Sequence, residues 1–297
     1  MCDETKLERW AREGLNRRQF GALGAMAAVS ACAPAGEAGN PGAEPGGTMT
    51  LPAMSERAVS FATPDGTLDG VFLTPATTPA PAVIWWPDIA GVRESHLDMA
   101  RMLVGRGHAV LVANPYYRDI AGQPFATFAD FVAEKGFASV RPWRDKLSSF
   151  AIQRDARAIV RWLDDQPEVD TTRGIGAQGY CMGGPFAVYS AHAVPDRIRA
   201  AASFHGGGLV REDEQSPHRL LARSEAAYLF AIAQDDDAEA PNHKTALREA
   251  AAATGRPAQV EVFAGDHGWT VPDSPAYDPS EARRAWEALL KLYGTAL

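Results

Sequence analysis

Residues 174–184 read Gly-Ile-Gly-Ala-Gln-Gly-Tyr-Cys-Met-Gly-Gly, and this stretch decides the fold class. It places Cys181 in a Gly-x-Cys-x-Gly frame between an apolar run and a run with helical character. Flanking glycines permit a sharp turn in which a Cβ would collide with neighbouring backbone. The dipole of the following helix favours a thiolate at the turn. The stretch therefore predicts a strand, a turn that presents a nucleophile, and a helix; a small buried cysteine in a glycine-rich turn is the alternative.

On both sides of this turn, short apolar runs alternate with longer amphipathic stretches. We predict strands at 58–62, 68–73, 82–86, 109–113, 174–179, 200–204, 227–233 and 259–263, and helices at 95–105, 150–166, 183–192, 244–253 and 280–293. The first two strands flank an Asp-Gly turn typical of a hairpin. The central runs are apolar throughout, as in parallel strands covered on both faces. The pattern predicts an α/β fold with a doubly wound, mostly parallel sheet in a single domain.

Residues 119–149 are the least periodic part of the chain and contain five large aromatic side chains. They could form a cap over a site or a packed insertion.

Two candidate partners for Cys181 follow it at the ends of later strands. The strand at 227–233 runs into Gln-Asp-Asp-Asp at 234–237, and the strand at 259–263 is followed by His267 in a glycine-flanked loop. The order nucleophile, acid, histidine is that of α/β hydrolases, and the carboxyl ends of parallel strands meet at one sheet edge. Taken alone, the acidic run could be a solvated loop, and His267 could be a loop histidine hydrogen-bonded to backbone. Together they favour a catalytic triad, with its acid among Asp235, Asp236 and Asp237.

The segment 179–184 matches the Gly-Tyr-Cys-x-Gly-Gly motif of the dienelactone hydrolase family, and the chain resembles that family over about residues 58–295. The resemblance implies an α/β-hydrolase fold and a cysteine, histidine and aspartate triad that cleaves small esters or lactones through a thioester. Asp236 matches the family's acid by its spacing to His267, whereas Asp237 fits a second alignment.

Residues 87–92, Pro-Asp-Ile-Ala-Gly-Val, resemble the family segment in which a glutamate helps to generate the thiolate. Asp88 is one methylene shorter and either serves this role or only shapes the loop. By the same resemblance, the backbone N–H groups of Ile89 and Met182 would form the oxyanion hole.

Two residues are candidates for substrate binding. Arg118, in residues 114–118, resembles the first of two arginines with which the family's namesake grips a carboxylate; an exposed loop arginine is the alternative. The second arginine should follow the catalytic histidine, where this chain has Trp269. A two-arginine grip is therefore not expected. Residues 204–208, Phe-His-Gly-Gly-Gly, predict a close-packed loop whose His205 at most supports residues that touch substrate.

Composition narrows the function classes further. The chain has 297 residues, of which 46% are hydrophobic, and carries 29 Lys and Arg against 37 Asp and Glu, for a net charge of −8. An acidic chain without a basic stripe is not expected to bind nucleic acid. The histidines and cysteines lack metal-ligand spacing and no dinucleotide-binding motif follows the early strands. We expect no cofactor and no metal, a small-molecule ester or lactone as substrate, and a monomer.

The N-terminus resembles an export signal. Arg17 and Arg18 precede a short apolar run, and Cys32 follows small residues as in a bacterial lipobox. Residues 1–31 would be a twin-arginine signal, 32–55 a tether rich in Pro, Gly and Ala, and 56–297 the hydrolase domain. We expect an exported, periplasmic protein that reaches a membrane only through a lipid on Cys32. Ordinary cleavage after Ala33 and an amphipathic N-terminal helix that is not a signal are the alternatives.

Two other functions fit the same fold. An exported protein with one accessible thiol could be a thiol-redox or a non-catalytic binding protein. A thioesterase or acyltransferase would need a long apolar channel, which residues 119–149 could form.

Overall fold

An eight-stranded sheet forms the centre of the molecule. The computed structural model describes residues 54–297. The strands are β1 (Met54–Thr63), β2 (Gly66–Pro75), β3 (Ala82–Trp86), β4 (Ala109–Ala113), β5 (Ile175–Tyr180), β6 (Ile198–Phe204), β7 (Ala227–Ala233) and β8 (Ala258–Phe263). The helices are α1 (Glu94–Val104), α2 (Phe128–Ala133), α3 (Gly136–Arg144), α4 (Ser149–Asp164), α5 (Gly184–Ala193), α6 (Pro217–Leu220), α7 (Gln234–Glu239), α8 (His243–Thr254) and α9 (Pro279–Ala296). Short 3₁₀ turns cover Cys181–Gly183 and Leu221–Arg223.

The strand order is β1-β2-β4-β3-β5-β6-β7-β8. β1 and β2 form an antiparallel hairpin, β2 is antiparallel to β4, and β3 to β8 are parallel. Because β4 lies on one side of β3 and β5 on the other, the winding direction reverses beside β3. In open α/β sheets, sites form at the carboxyl ends of the strands at such a reversal. This topology is the α/β-hydrolase fold expected from the sequence.

The sheet is covered on both faces. Trp85 and Trp86 are adjacent in β3 and both fully buried, yet they pack into opposite layers because side chains alternate along a strand. The layer around Trp86 includes α4 and α5, and the layer around Trp85 includes α1 and α9. The indole N–H of Trp85 donates a hydrogen bond to His96, and that of Trp86 donates one to Ser190. Burial of these rings is therefore achieved without an unsatisfied donor.

Most predicted elements lie where expected, with ends shifted by a few residues. The predicted strands 82–86, 109–113 and 227–233 have the observed bounds of β3, β4 and β7. β1 begins at Met54, so the last two residues of the predicted tether 32–55 belong to the sheet. The predicted signal 1–31 and Cys32 lie outside the described residues.

Residues 119–149 contain two helices that were not predicted, α2 and α3. Their buried positions are held by ring contacts of Phe131 with Phe125, Phe128 and Phe137, at centroid distances of 4.7–5.5 Å. No helix in residues 54–297 is long and apolar enough to cross a membrane. Nor does this part of the chain contain a cluster of three or more His, Cys, Asp or Glu side chains that could hold a metal ion.

Candidate active site

Cys181 sits in a strained turn between β5 and α5. Its φ is 52°, in the left-handed region that costs a non-glycine residue on the order of 1–3 kcal/mol. The turn is so tight that a Cβ on Gly179 would lie 1.9 Å from the carbonyl oxygen of Gly183. A Cβ on Gly183 would lie 2.6 Å from two backbone oxygens, those of Trp86 and Pro87. The glycine spacing of the motif is thus a steric requirement of this turn.

His267 forms a short contact with one of the three candidate acids. Its Nδ1 lies 2.7 Å from Oδ2 of Asp236, the third residue of α7. With its hydrogen on Nδ1, the imidazole donates to this carboxylate and Nε2 carries the basic lone pair. Asp235 instead accepts the backbone N–H of His267 at 2.9 Å. Asp237 is ion-paired with Lys244 at 2.6 Å, so the structure distinguishes the three carboxylates by their partners.

Cys181 and His267 line one small cavity. Its other lining residues are Asp88, Ile89, Phe128, His205, Gly268, Val271 and Ser274. The cavity volume is about 20 Å³, which is room for about one water molecule. Phe128, at the start of α2, contributes one wall, so part of the 119–149 segment covers the site while its other aromatic side chains pack in or against the core.

A larger cavity of about 300 Å³ lies elsewhere, between α1 and α9. Met102 and Trp286 are among its apolar walls, and none of the predicted catalytic residues lines it. The position of the reactive groups, rather than volume, therefore identifies the candidate active site.

The two residues predicted to form the oxyanion hole both contact the same buried tyrosine, Tyr116. Ile89 lines the cavity and Met182 follows Cys181 in the 3₁₀ turn. The hydroxyl of Tyr116 donates to the carbonyl oxygen of Ile89 at 2.8 Å and lies 3.4 Å from Sδ of Met182. Tyr116 was not predicted, because nothing in the spacing of residues 114–118 indicates which side chain turns toward Ile89.

Asp88 is held by Arg93, which is completely buried. Nη1 and Nη2 of Arg93 donate to the two oxygens of Asp88 at 2.7 and 2.8 Å. Burial alone would raise the pKa of Asp88, but Arg93 and His96 outweigh it and hold this pKa well below its usual range. One oxygen of Asp88 also accepts the N–H of Ala90. The carboxylate therefore anchors the loop that carries Ile89, and its predicted action on the thiol stays a prediction.

Arg93 connects this loop to two distant segments. Its Nε and Nη2 donate to Asp273 at 2.8 and 2.9 Å. Asp273 also accepts the N–H of Phe128 at 2.9 Å, at the start of α2. The guanidinium therefore ties together the loop after β3, the loop after β8 and the segment that covers the cavity. Arg93 was not predicted from the sequence, because its second carboxylate lies 180 residues away.

The two predicted substrate-binding residues are not brought to the cavity. Arg118 donates to Asp65 at 2.7 Å and to Asp155 at 2.8 Å, and its guanidinium lies 4.5 Å from the ring centroid of Tyr117. Trp269 is fully buried and stacks on Phe263 with a centroid distance of 5.4 Å. The charge of Arg118 is thus compensated within the chain.

Comparisons with known proteins agree with this fold. The sequence model of the dienelactone hydrolase family matches residues 68–297. A Synechocystis protein that carries carboxymethylenebutenolidase as a provisional name is 25% identical over 73% of this chain and 87% of its own length. The carboxymethylenebutenolidase of Pseudomonas putida is 26% identical over 55% of this chain and 66% of its own length.

A crystal structure from Klebsiella pneumoniae, provisionally named a dienelactone hydrolase, resembles this fold with a TM-score of 0.68. It has 19% sequence identity and covers 82% of this chain and 99% of the Klebsiella chain, so it supports the fold alone. The family match extends over more than half of the chain and includes the cysteine turn, the acidic run and the histidine loop. The chain therefore belongs to the dienelactone hydrolase family and is a hydrolase.

Proposed function

We propose that the chain hydrolyses small esters or lactones through a triad of Cys181, His267 and Asp236. The observation that carries this proposal is the 2.7 Å contact between His267 and Asp236, with Cys181 and His267 lining one cavity. A carboxylate that orients a histidine, beside a nucleophile at a strained turn, is the arrangement that acyl transfer requires. The carboxymethylenebutenolidase name of two relatives points to the same reaction class.

The reaction would proceed in two halves. Nε2 of His267 takes the proton of the Cys181 thiol, and Sγ attacks the carbonyl carbon, with the oxyanion held by the N–H groups of Ile89 and Met182. The carbon–oxygen bond to the leaving group then breaks as His267 returns the proton to that oxygen, leaving a thioester. Water, deprotonated by His267, attacks the thioester and releases the acid, and the cysteine thiolate regains its proton.

The cavity at Cys181 has no room for a long acyl chain. Only about 20 Å³ is open at Cys181, and Ile89, Phe128 and Val271 are apolar walls. A thioesterase acting on a long chain would need a channel, which the described residues do not provide at this cavity. Since Arg118 is ion-paired elsewhere, any carboxylate on the substrate would be bound differently from the two-arginine grip of the family's namesake.

A thiol-redox function has less support than hydrolysis. Cys181 is the only cysteine among residues 54–297, so this part of the chain offers no second thiol to resolve a disulfide. A non-catalytic binding function would not explain why Asp236 orients His267 beside Cys181.

The test compares purified, reduced wild type with Cys181→Ala and His267→Ala on p-nitrophenyl acetate, an enol lactone and an acyl thioester. We expect wild type to prefer the enol lactone and the activated ester, and both variants to lose about 10³-fold or more in kcat/KM. Retention of the wild-type rate by either variant would overturn the triad. Wild type that is inert on all three substrates, with a thiol that still reacts with a disulfide probe, would favour the redox or binding function.

We also propose that the protein is exported to the periplasm as a monomer and lipid-anchored through Cys32. The support is the twin arginine at 17–18 and the small residues before Cys32. In a bacterial host, we expect wild type in the membrane fraction, Cys32→Ser in the soluble periplasm, and a chain with both arginines changed to lysine in the cytoplasm. Cys32→Ser that stays in the membrane fraction would contradict the lipid anchor, and light scattering of the released protein tests the monomer.

A further inference from the structure

His205 accepts a hydrogen bond from the backbone of the nucleophile. It follows β6 and is 1% exposed, and its Nδ1 lies 3.1 Å from the backbone nitrogen of Cys181. Because a backbone N–H can only donate, Nδ1 must be the unprotonated nitrogen of this ring. Burial and the neighbouring His267 hold the pKa of His205 well below its usual value, which fits a neutral ring with its hydrogen on Nε2.

The other nitrogen of His205 reaches the loop of the catalytic histidine. Nε2 lies 3.0 Å from Oγ1 of Thr270, three residues after His267. The rings of His205 and His267 also meet edge to face, with centroids 4.9 Å apart. One imidazole therefore contacts the turn that carries Cys181, the ring of His267 and the loop that carries His267.

The backbone at His205 is fixed at a strained geometry. Its φ is 40°, in the same left-handed region as Cys181. The next residue, Gly206, is so closely packed that a Cβ there would lie 2.2 Å from Oγ of Ser203 and 3.2 Å from Cα of Gly184 in α5. Strained backbone persists only where its surroundings determine it, and such positions cluster at functional sites.

We propose that His205 is a positioning residue that, with Thr270, sets the position of Cys181 relative to His267. This inference rests on the proposed triad. The chain of contacts runs from the Cys181 amide through His205 to the Thr270 hydroxyl, so it joins the carboxyl ends of β5, β6 and β8. His205 itself does not exchange a proton with substrate. Its role is to keep the thiol and the base at a fixed separation, on which acyl transfer depends steeply.

The test uses variants that remove different hydrogen bonds between Cys181, His205 and Thr270. His205→Phe keeps a ring but accepts no hydrogen bond, and we expect kcat on p-nitrophenyl acetate to fall ~10²-fold with KM changed by less than about threefold. His205→Asn keeps an acceptor near the Nδ1 position and tolerates a left-handed φ, so it should recover about tenfold in kcat and retain the roughly tenfold cost of the lost link to Thr270. Thr270→Val should lower kcat by about tenfold, the effect of one lost hydrogen bond.

The combined effect of changes at His205 and Thr270 on kcat distinguishes a positioning role from a general effect on stability. In the His205→Asn background the link to Thr270 is already cut, so adding Thr270→Val should change kcat by less than about twofold. His108→Phe is the control, because His108 is a half-buried histidine that packs on Tyr293 at 5.6 Å, away from the site. We expect it to lower the unfolding midpoint without lowering kcat.

A second readout does not require ester hydrolysis. The ratio of the iodoacetamide alkylation rate of Cys181 at about pH 7 to that at about pH 10 reports the thiolate fraction and cancels differences in access. We expect this ratio to fall severalfold in His205→Phe and Thr270→Val, even if wild type hydrolyses none of the test esters. Full additivity of the two substitutions in kcat, or a ratio unchanged in both variants, would overturn the proposal.

Discussion

At the scale of single residues, the candidate site depends on which of three adjacent carboxylates contacts His267. Asp235, Asp236 and Asp237 are adjacent and identical in type, but only Asp236 places a carboxylate oxygen 2.7 Å from Nδ1 of His267. The order of the candidates along the chain predicts the triad. It does not select the acid, because the direction of each side chain depends on the short helix α7, which the sequence pattern did not predict.

Asp236→Asn should lower kcat on p-nitrophenyl acetate by about 10²–10⁴-fold, because an amide at this position favours the wrong tautomer of His267. Asp237→Asn is the matched control. It removes only the ion pair with Lys244, which lies at the protein surface and is worth about 1 kcal/mol or less. We expect its kcat to stay within about twofold of wild type. Equal losses in the two variants would show that Asp236 is not the triad acid.

Residues that act through distant partners could not be predicted. Tyr116 is recognisable only once the loops after β3 and β4 are placed beside the turn at Cys181. Arg93 follows an ordinary Gly-Val pair, and its partner Asp273 lies in the last loop of the sheet. No local pattern of residue types specifies such long-range pairs.

At the scale of elements, the turn after β5 explains why the motif has glycine at 179 and 183. All eight strands were predicted, and the central ones are short apolar runs bounded by turn residues. α2 and α3 were not, because their apolar positions are aromatic residues that pack on each other and α3 contains Pro142. Their stability comes from tertiary packing, which periodicity does not report.

Gly179→Ala should destabilise the protein by several kcal/mol, since its Cβ would overlap the carbonyl oxygen of Gly183 at 1.9 Å. Gly294→Ala is the control. It lies within α9 with nothing within 4 Å of a built Cβ, so alanine should stabilise the helix by about 0.5–1 kcal/mol. Urea unfolding of the two variants measures both effects. A Gly179→Ala protein as stable as wild type would mean that the turn is less constrained than described.

At the scale of the whole molecule, the sheet brings five connections to one edge. The loops after β3, β5, β6, β7 and β8 supply Ile89, Cys181, His205, Asp236 and His267 respectively. The fold class and this convergence follow from the alternation of strands and helices in the sequence. The network of buried charges and hydrogen bonds that rigidifies this edge, such as that around Arg93 and His205, could not be predicted from that alternation.

Buried neutral histidines make stability depend on pH. Burial lowers the pKa of both His96 and His205, and it acts in the same direction on His108, His192 and His218. As pH falls below about 6.5, the unfolded chain takes up protons that the folded chain does not. The free energy of unfolding should therefore decrease between about pH 6.5 and 5, by at most about 1.4 kcal/mol per pH unit for each histidine.

Urea titrations at several pH values measure this slope, and His205→Asn should reduce it. Asp88 acts in the same direction but at lower pH, because its lowered pKa keeps it ionised through this range and its stabilisation is lost only below about pH 4. A free energy of unfolding that stays constant from pH 7 to about pH 5 would contradict neutral burial of these histidines.

The most direct test of the proposed mechanism is the mass of the protein during its first turnover. Reduced wild type is mixed with p-nitrophenyl acetate, quenched in acid and analysed intact and by peptide mapping. The mechanism predicts one acetyl group on Cys181, which forms and decays at rates consistent with kcat, and no such adduct in Cys181→Ala. Hydrolysis at the wild-type rate by Cys181→Ala, or an acetyl group that forms first on another residue, would contradict the thioester route.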